Sequence, residues 1–280
     1  MIHIGRRLLW TGIVLLLPAS LGRAQSAQAI IQEVVAAEHA ADQNDHSQWT
    51  YLEEKDKPSQ HVLQWVATSA QSDVQRVLEQ NEQKLPEERQ RELIQNFLHD
   101  PKAQKKQIAE NSHDNQQIDD LLRLLPAAFV WKVTGSTPAT TSLHFEPAPN
   151  FRPPTREARV FSSMTGDLVA DNQQHRVRSI HGRLIRDVTF GAGILGRLRQ
   201  GSTFSLEQQQ VDPRLWQLTA IHVHLEGSAL LFKSVSLQED DQRSHFEEEP
   251  SAITLSQAAE RAMREPAAVQ PEYRAASKTQ

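Results

Sequence analysis

The sequence predicts an α+β protein built on a curved antiparallel sheet of about ten strands, folded into a half-open β-barrel and plugged by helices. Three observations predict it. Apolar and polar residues alternate along most of the second half, the signature of strands with one face on a core. Helical spacing opens the chain after its leader and returns in a Gln- and Glu-rich stretch over residues 85–125. Short turn sequences then join successive strands as antiparallel neighbours.

The leader comes first. Arg6 and Arg7 precede an apolar run over 8–17, and small residues fill 18–24, which is the layout of a secretory signal peptide cleaved near Ala24. The run is too short for the ~20 residues that span a bilayer. Export to the periplasm is therefore expected, with no transmembrane segment in the mature chain. The chain has no cysteine, so it carries neither a disulfide, nor a thiolate metal site, nor the acylated cysteine of a lipoprotein. Losing Arg6, Arg7 and Arg23 with the leader takes the formal charge from -5 to -8. An acidic body argues against nucleic acid as a partner, because phosphate binding needs a concentrated basic stripe.

The mature domain is expected over 25–263, followed by a disordered tail over 264–280. Ala27, Ile30, Ile31, Val34 and Val35 place one face on an amphipathic helix. Three apolar stretches at 49–52, 62–67 and 74–78 read as a strand meander. The insertion over 85–125 starts a helix near Pro86, is expected to break at 111–115, and ends in a leucine patch before Pro126.

Phe129, Trp131 and Val133 alternate with polar neighbours, as do Leu143 and Phe145. A proline-rich crossing segment follows, and 155–164 holds one or two helical turns. The clearest strand spans 177–190, with Ile180, Gly182, Leu184, Val188 and Phe190 on one parity. Further strands are expected over 203–211, 215–225 and 228–237, the second being fully buried or bulged because both parities are apolar. Thr254 and Gln257 form a capping-box pattern that starts a last helix.

Motifs for chemistry are weak. Gly191, Gly193 and Gly196 spell G-x-G-x-x-G, but the seven residues 194–200 leave no room for the long helix a dinucleotide needs. A glycine-hinged lid or turn is expected instead, with Ile194, Leu195 and Leu198 beneath it. His222 and His224 share one strand face, but a metal needs a third ligand, and His144, His175, His181 and His245 are not placed by sequence. The acidic runs at 240–241 and 247–249 read as a solvated loop. No nucleophile elbow occurs, and Ser162, Ser163 and Ser202 have no neighbouring base in sequence. No catalytic residue, metal or cofactor is assigned, and an enzyme is not expected.

The apolar face offers the remaining site. Trp131, Phe145, Leu184, Val188, Phe204, Trp216, Leu218 and Phe232 would neighbour one another in a curled sheet. They either fill a core or line a cavity for an acyl chain.

The order of leader, amphipathic helix, meander, helical insertion and long strands resembles the lipoprotein-carrier superfamily typified by LolA, LolB and the N-terminal part of RseB. Residues 151–246 are similar to a group of uncharacterised exported bacterial proteins of that fold class. The similarity lies in Phe151-Arg152-Pro153-Pro154, Arg159, Phe161, Met164, Gly166, the run 187–196 and Leu230-Leu231-Phe232-Lys233. The chain departs from LolB in lacking the lipidated cysteine, and from LolA in its length and its helical insertion. The resemblance implies a non-enzymatic periplasmic protein that holds lipid or an acylated lipoprotein in the half-barrel. The alternative it implies is an envelope interaction or sensor module with a filled core and a membrane protein partner.

Overall fold

The computed structural model describes residues 26–190, 196–229, 238–249, 252–267 and 269. The leader, the lid residues Gly191, Gly193, Ile194 and Leu195, and Phe232 lie outside them.

Helix α1 (Ala27–Asn44) is capped by the Ser26 side chain, which accepts from the Ala29 amide, and buries Ile31 and Val34. The meander follows as β1 (Gln48–Lys57), β2 (Gln60–Ala67) and β3 (Val74–Gln80), with a short β4 (Gln83–Lys84) hairpinned onto β3. The insertion is two helices, α2 (Glu87–Leu98) and α3 (Pro101–Ala128). The break expected at 111–115 is instead at His99 and Asp100. There the Asp100 carboxylate accepts from the amides of Lys102 and Ala103, and Pro101 takes the first helical position. Pro126 lies inside α3 rather than ending it.

The second half contributes β5 (Phe129–Ser136), β6 (Thr140–Pro147), a 3-10 segment (Glu157–Ser163), β7 (Met164–Asp171) and β8 (Val177–Leu184). The single strand expected over 177–190 is divided. After Leu184 the chain turns, the Ile185 amide donating to the Ser163 carbonyl, and β9 (Val188–Phe190) joins β10 (Gly196–Leu198) and β13 (Gly227–Ala229) in a small sheet. Strands β11 (Thr203–Asp212) and β12 (Leu215–His224) form a long hairpin. Its register slips where Glu207 and Gln208 face Ala220 and Leu218, so Thr219 is a bulge and the two-parity pattern of β12 is explained.

The acidic segment expected as a solvated loop is a twelve-residue strand, β14 (Gln238–Glu249). Helix α4 (Leu255–Arg264) follows with the expected capping box at Thr254 and Gln257. The segment beyond it, expected to lack order, begins docked. Trp65 Nε1 donates to the Pro266 carbonyl at 3.0 Å, and Val269 packs on Leu52, Leu63, Trp65 and Leu78.

Eleven strands form one antiparallel sheet in the order β4-β3-β2-β1-β14-β12-β11-β8-β7-β6-β5. Among the described residues β4 and β5 end it without pairing, so no closed barrel forms. Helices cover opposite faces at opposite ends. α1, the end of α3 and the 3-10 segment bury Leu143, Phe145 and Leu168 of the β5–β8 end. α2 and α4 bury Ala67 and Val74 at the other end, on the reverse face. Between the two coverings one face of the central strands is left open.

Candidate functional site

Strand register assembles a single polar row on that open face. Reading pairwise partners across the sheet gives Lys132, His144, Asp167, His181, Ser205, His222, Asp240, Asp56 and His61. Each belongs to a different strand, from β5 to β2, at a spacing of about 4.8 Å per strand. Side chains opposite one another across paired strands are in reach. His144 Nδ1 donates to Asp167 Oδ1 at 2.9 Å, and His222 Nδ1 donates to Asp240 Oδ1 at 2.7 Å. The carboxylates can only accept, so each of these rings carries its proton on Nδ1.

The middle of the row floors a cleft of about 1140 Å³. Its walls add Thr165, Arg183, Arg186, Thr203, His224 and Gln238. The Thr165 hydroxyl donates to the Phe145 carbonyl at 2.8 Å and stands 3.4 Å from His144 Nε2. Arg186 is held at the rim by Ser163 Oγ at 3.1 Å and by the Ser162 carbonyl. Beside it, the Gln200 amide and the Arg197 guanidinium hold the Asp187 carboxyl below the usual carboxylate range. The cleft thus presents imidazoles, guanidinium groups, hydroxyls and the carboxylates of Glu146, Asp167 and Asp240, beside apolar edges from Pro147, Pro149, Ile185, Phe204 and Val223.

Four histidines considered from sequence as possible neighbours of His222 and His224 are now placed. His144 and His181 join the cleft. His175 stands against Glu33 at 3.5 Å, and the His245 ring lies 6.1 Å from that of Trp65.

The residues expected to line an acyl cavity lie mostly in packed interior on the opposite face. Trp131 and Phe145 stack at 5.2 Å within a cluster that includes Phe129 and Phe161, and Trp131 Nε1 donates to the Leu125 carbonyl. Leu184 and Val188 pack with Phe190 and Leu198 beneath the small sheet. Trp216 is buried, donates to Gln174 Oε1 at 2.9 Å, and lies under the guanidinium of Arg178 at 5.2 Å. Phe204 and Leu218 are half-buried, and of the seven described residues only Phe204 borders the cleft. Of the lid glycines, Gly196 is described; it opens β10, at φ 141°, where a dinucleotide fold would begin a helix.

The acidic residues of β14 divide between the faces. Asp240 enters the cleft, whereas Asp241 is buried on the reverse with Glu53, Lys55, Arg243 and Tyr51. Burial raises the Tyr51 hydroxyl. Burial alone would lower the Arg243 guanidinium, but Tyr51, Asp241 and Glu53 outweigh it and raise it. Glu249 is also buried, accepting from Thr50 Oγ1 at 2.7 Å and from Arg261 Nε at 2.6 Å.

Comparison of the chain with family models, curated proteins and solved structures returns no match. The site therefore stands on its own geometry.

Proposed function

We propose that the chain is a non-enzymatic, exported envelope module that recognises a hydrophilic segment of a partner protein in the histidine-rich cleft. In this reading the sheet curls as an open half-barrel around the cleft, while α1 and α3 plug its other face. The observation that carries it is the division of chemistry between faces. Most of the aromatic residues fill interior space, whereas the floor of the large concavity is the row of histidines and carboxylates, with Pro147, Pro149, Ile185, Phe204 and Val223 also bordering it. A sensor or interaction module with a filled core has this arrangement, in keeping with the resemblance to RseB.

A photo-crosslinking residue at Ser205, at the floor of the cleft, tests the proposal against one at Ile118, which is 63% exposed on α3. The expected result is one partner captured from Ser205 alone and lost with Arg183→Glu. Identical products from both positions would overturn it.

A second reading, an acyl-chain carrier, is favoured by one feature. Phe204, Leu206, Ile221 and Val223 are half-buried on the helix-covered face, paired across β11 and β12. Native mass spectrometry of the protein from its own envelope, followed by lipid extraction, separates the two. A stoichiometric acyl-bearing species establishes the carrier; an apo mass supports the polar cleft.

A further inference from the structure

We infer that the segment held by the cleft is acidic at its centre, one Asp or Glu carboxylate seating on Arg183 beside His181, Thr203 and Ser205. The inference rests on reading the cleft as the partner site and gives that partner its chemistry. Register puts Arg183 opposite Thr203 and His181 opposite Ser205. Their strands, β8 and β11, are the third and fourth of the six from β6 to β14 that floor the cleft. The four residues mark a rectangle of about 5 Å across the strands and about 7 Å along them, because side chains on one face recur at every second residue. A carboxylate above it is within reach of all four.

The centre is where positive charge stays unmatched. Arg183 stands between Thr165 on one neighbouring strand and Thr203 on the other, so neither sets a carboxylate directly opposite it. Every other strand arginine among the described residues has a partner. Arg76 takes carbonyls of the last helix, Arg178 takes Asp171, Arg197 takes Asp187 and Arg243 takes Asp241. Arg183 has none among the described residues, and neither do the His181 ring or the hydroxyls of Thr203 and Ser205. At the rim, Arg186 is tied to the Ser163 hydroxyl and the Ser162 carbonyl, neutral groups that leave its charge uncancelled.

The carboxylates of the cleft are engaged at its flanks. Asp167 faces His181 in register but bonds His144 on its other side, and His144 Nε2 stands 3.9 Å from Glu146. Asp240 bonds His222, and His224 has Glu226 at 3.8 Å. This arrangement selects among anions. A guanidinium fork pairs with a carboxylate or a phosphate in the same bidentate way. Flanking carboxylates repel a doubly charged phosphate more than a singly charged carboxylate. The six strands span about 24 Å, the length of roughly seven extended residues, so a peptide strand fits the floor better than a small ion. The chain itself carries a formal charge of -5, so an acidic segment is chosen by this centre and not by the field of the whole body.

The test is fluorescence anisotropy of the full-length protein with labelled Ser-Gly peptides of roughly nine residues, bearing central glutamates, glutamines or lysines. The glutamate peptide is expected to bind at least ~10-fold tighter than the glutamine one and to weaken about 10-fold in Arg183→Gln. Thr203→Val is expected to weaken it a few-fold, and Arg214→Gln, at the far turn of the β11–β12 hairpin, to leave it unchanged. Arg183 and Thr203 are exposed, and circular dichroism checks that each variant folds. Equal binding of the glutamate and glutamine peptides, preference for lysine, or binding untouched by Arg183→Gln would each overturn the inference while leaving the cleft a partner site. Inorganic phosphate displacing the glutamate peptide at equal concentration would overturn it in favour of a small-anion site. Binding of none of the three peptides would overturn it too, and the Ser205 crosslink then decides whether the reading of the cleft falls with it.

Discussion

The Arg76 guanidinium donates to the carbonyl of Glu265 at 2.7 Å, tying β3 to the residue that follows α4. Arg76 is 2% exposed; the same nitrogen reaches the carbonyls of Ala262 and Met263, and its Nε donates to Gln90 Oε1. One side chain thus satisfies the open carbonyls of the last helix and anchors α2. Arg76→Met should lower unfolding free energy by about 3–4 kcal/mol, because buried acceptors lose a charged donor together. Urea denaturation measures it, and an effect below about 1 kcal/mol would show that water replaces the guanidinium at no cost.

Asp73 carries a pH signature of the opposite kind to most carboxylates. Burial raises its pKa, partly offset by the Asn111 amide, which donates at 3.2 Å. A folded-state pKa above the unfolded value penalises the ionised form. The penalty is fully present at neutral pH and fades as pH falls through the raised value towards the unfolded ~3.9. Asp73→Asn is therefore expected to raise the melting temperature at pH 7 and to leave it unchanged near pH 3.5.

Asp171 runs the other way. Burial pushes its carboxyl up, but the Gln174 amide, the Arg178 guanidinium and the Gln173 amide together outweigh it and hold the group below its ordinary range. Its contribution is fully present above the unfolded value of ~3.9 and is lost as pH falls through the depressed folded value. Asp171→Asn should cost about 1–2 kcal/mol at pH 7, and the two proteins should converge towards pH 2. A constant difference across that range would argue against the charge.

Two aromatic substitutions separate interior from surface. Trp131→Asp places a carboxylate among Phe129, Phe145 and Leu125 and should unfold the protein, a loss above about 4 kcal/mol. Phe204→Asp, at a half-buried position, should leave a folded chain. Far-ultraviolet dichroism with a thermal melt reads both. A folded Trp131→Asp would mean that this cluster encloses space for a ligand after all.

Much of the fold was legible where its signals are local. The spacing of Ile31 and Val34 marks α1, Thr254 and Gln257 mark the start of α4, and alternation through Leu143, Phe145, Ile180 and Leu184 marks the interior face. Asp100-Pro101 is an equally local cap signal, and it outranks the Asn-rich 111–115, which sits on an exposed helix face. β14 was illegible because Phe246 is its only apolar residue. Its pairing rests on backbone bonds and on charge partners such as Arg243 with Glu53, which come from distant strands. The cleft was hidden for a related reason. His181 and Ser205 sit on polar strand parities and His222 on a mixed one, but their alignment depends on cross-strand register, a non-local property. Trp131, Phe145, Phe204 and Trp216 lie on strands as expected; whether they enclosed or filled space depended on where α1 and α3 dock.

β14 lies between β1 and β12 and bonds to both, so the meander and the second-half strands meet through a segment that starts only at Gln238. A ribosome delivering this chain from its N-terminus therefore presents two unfinished half-sheets, each with a raw edge, until the residues from Gln238 onward emerge. Joining them closes a loop of nearly the whole domain, the kind of pairing that slows folding. The Glu and Asp residues that make β14 a poor strand in isolation also place like charges along its unpaired edge, a composition that disfavours edge-to-edge association.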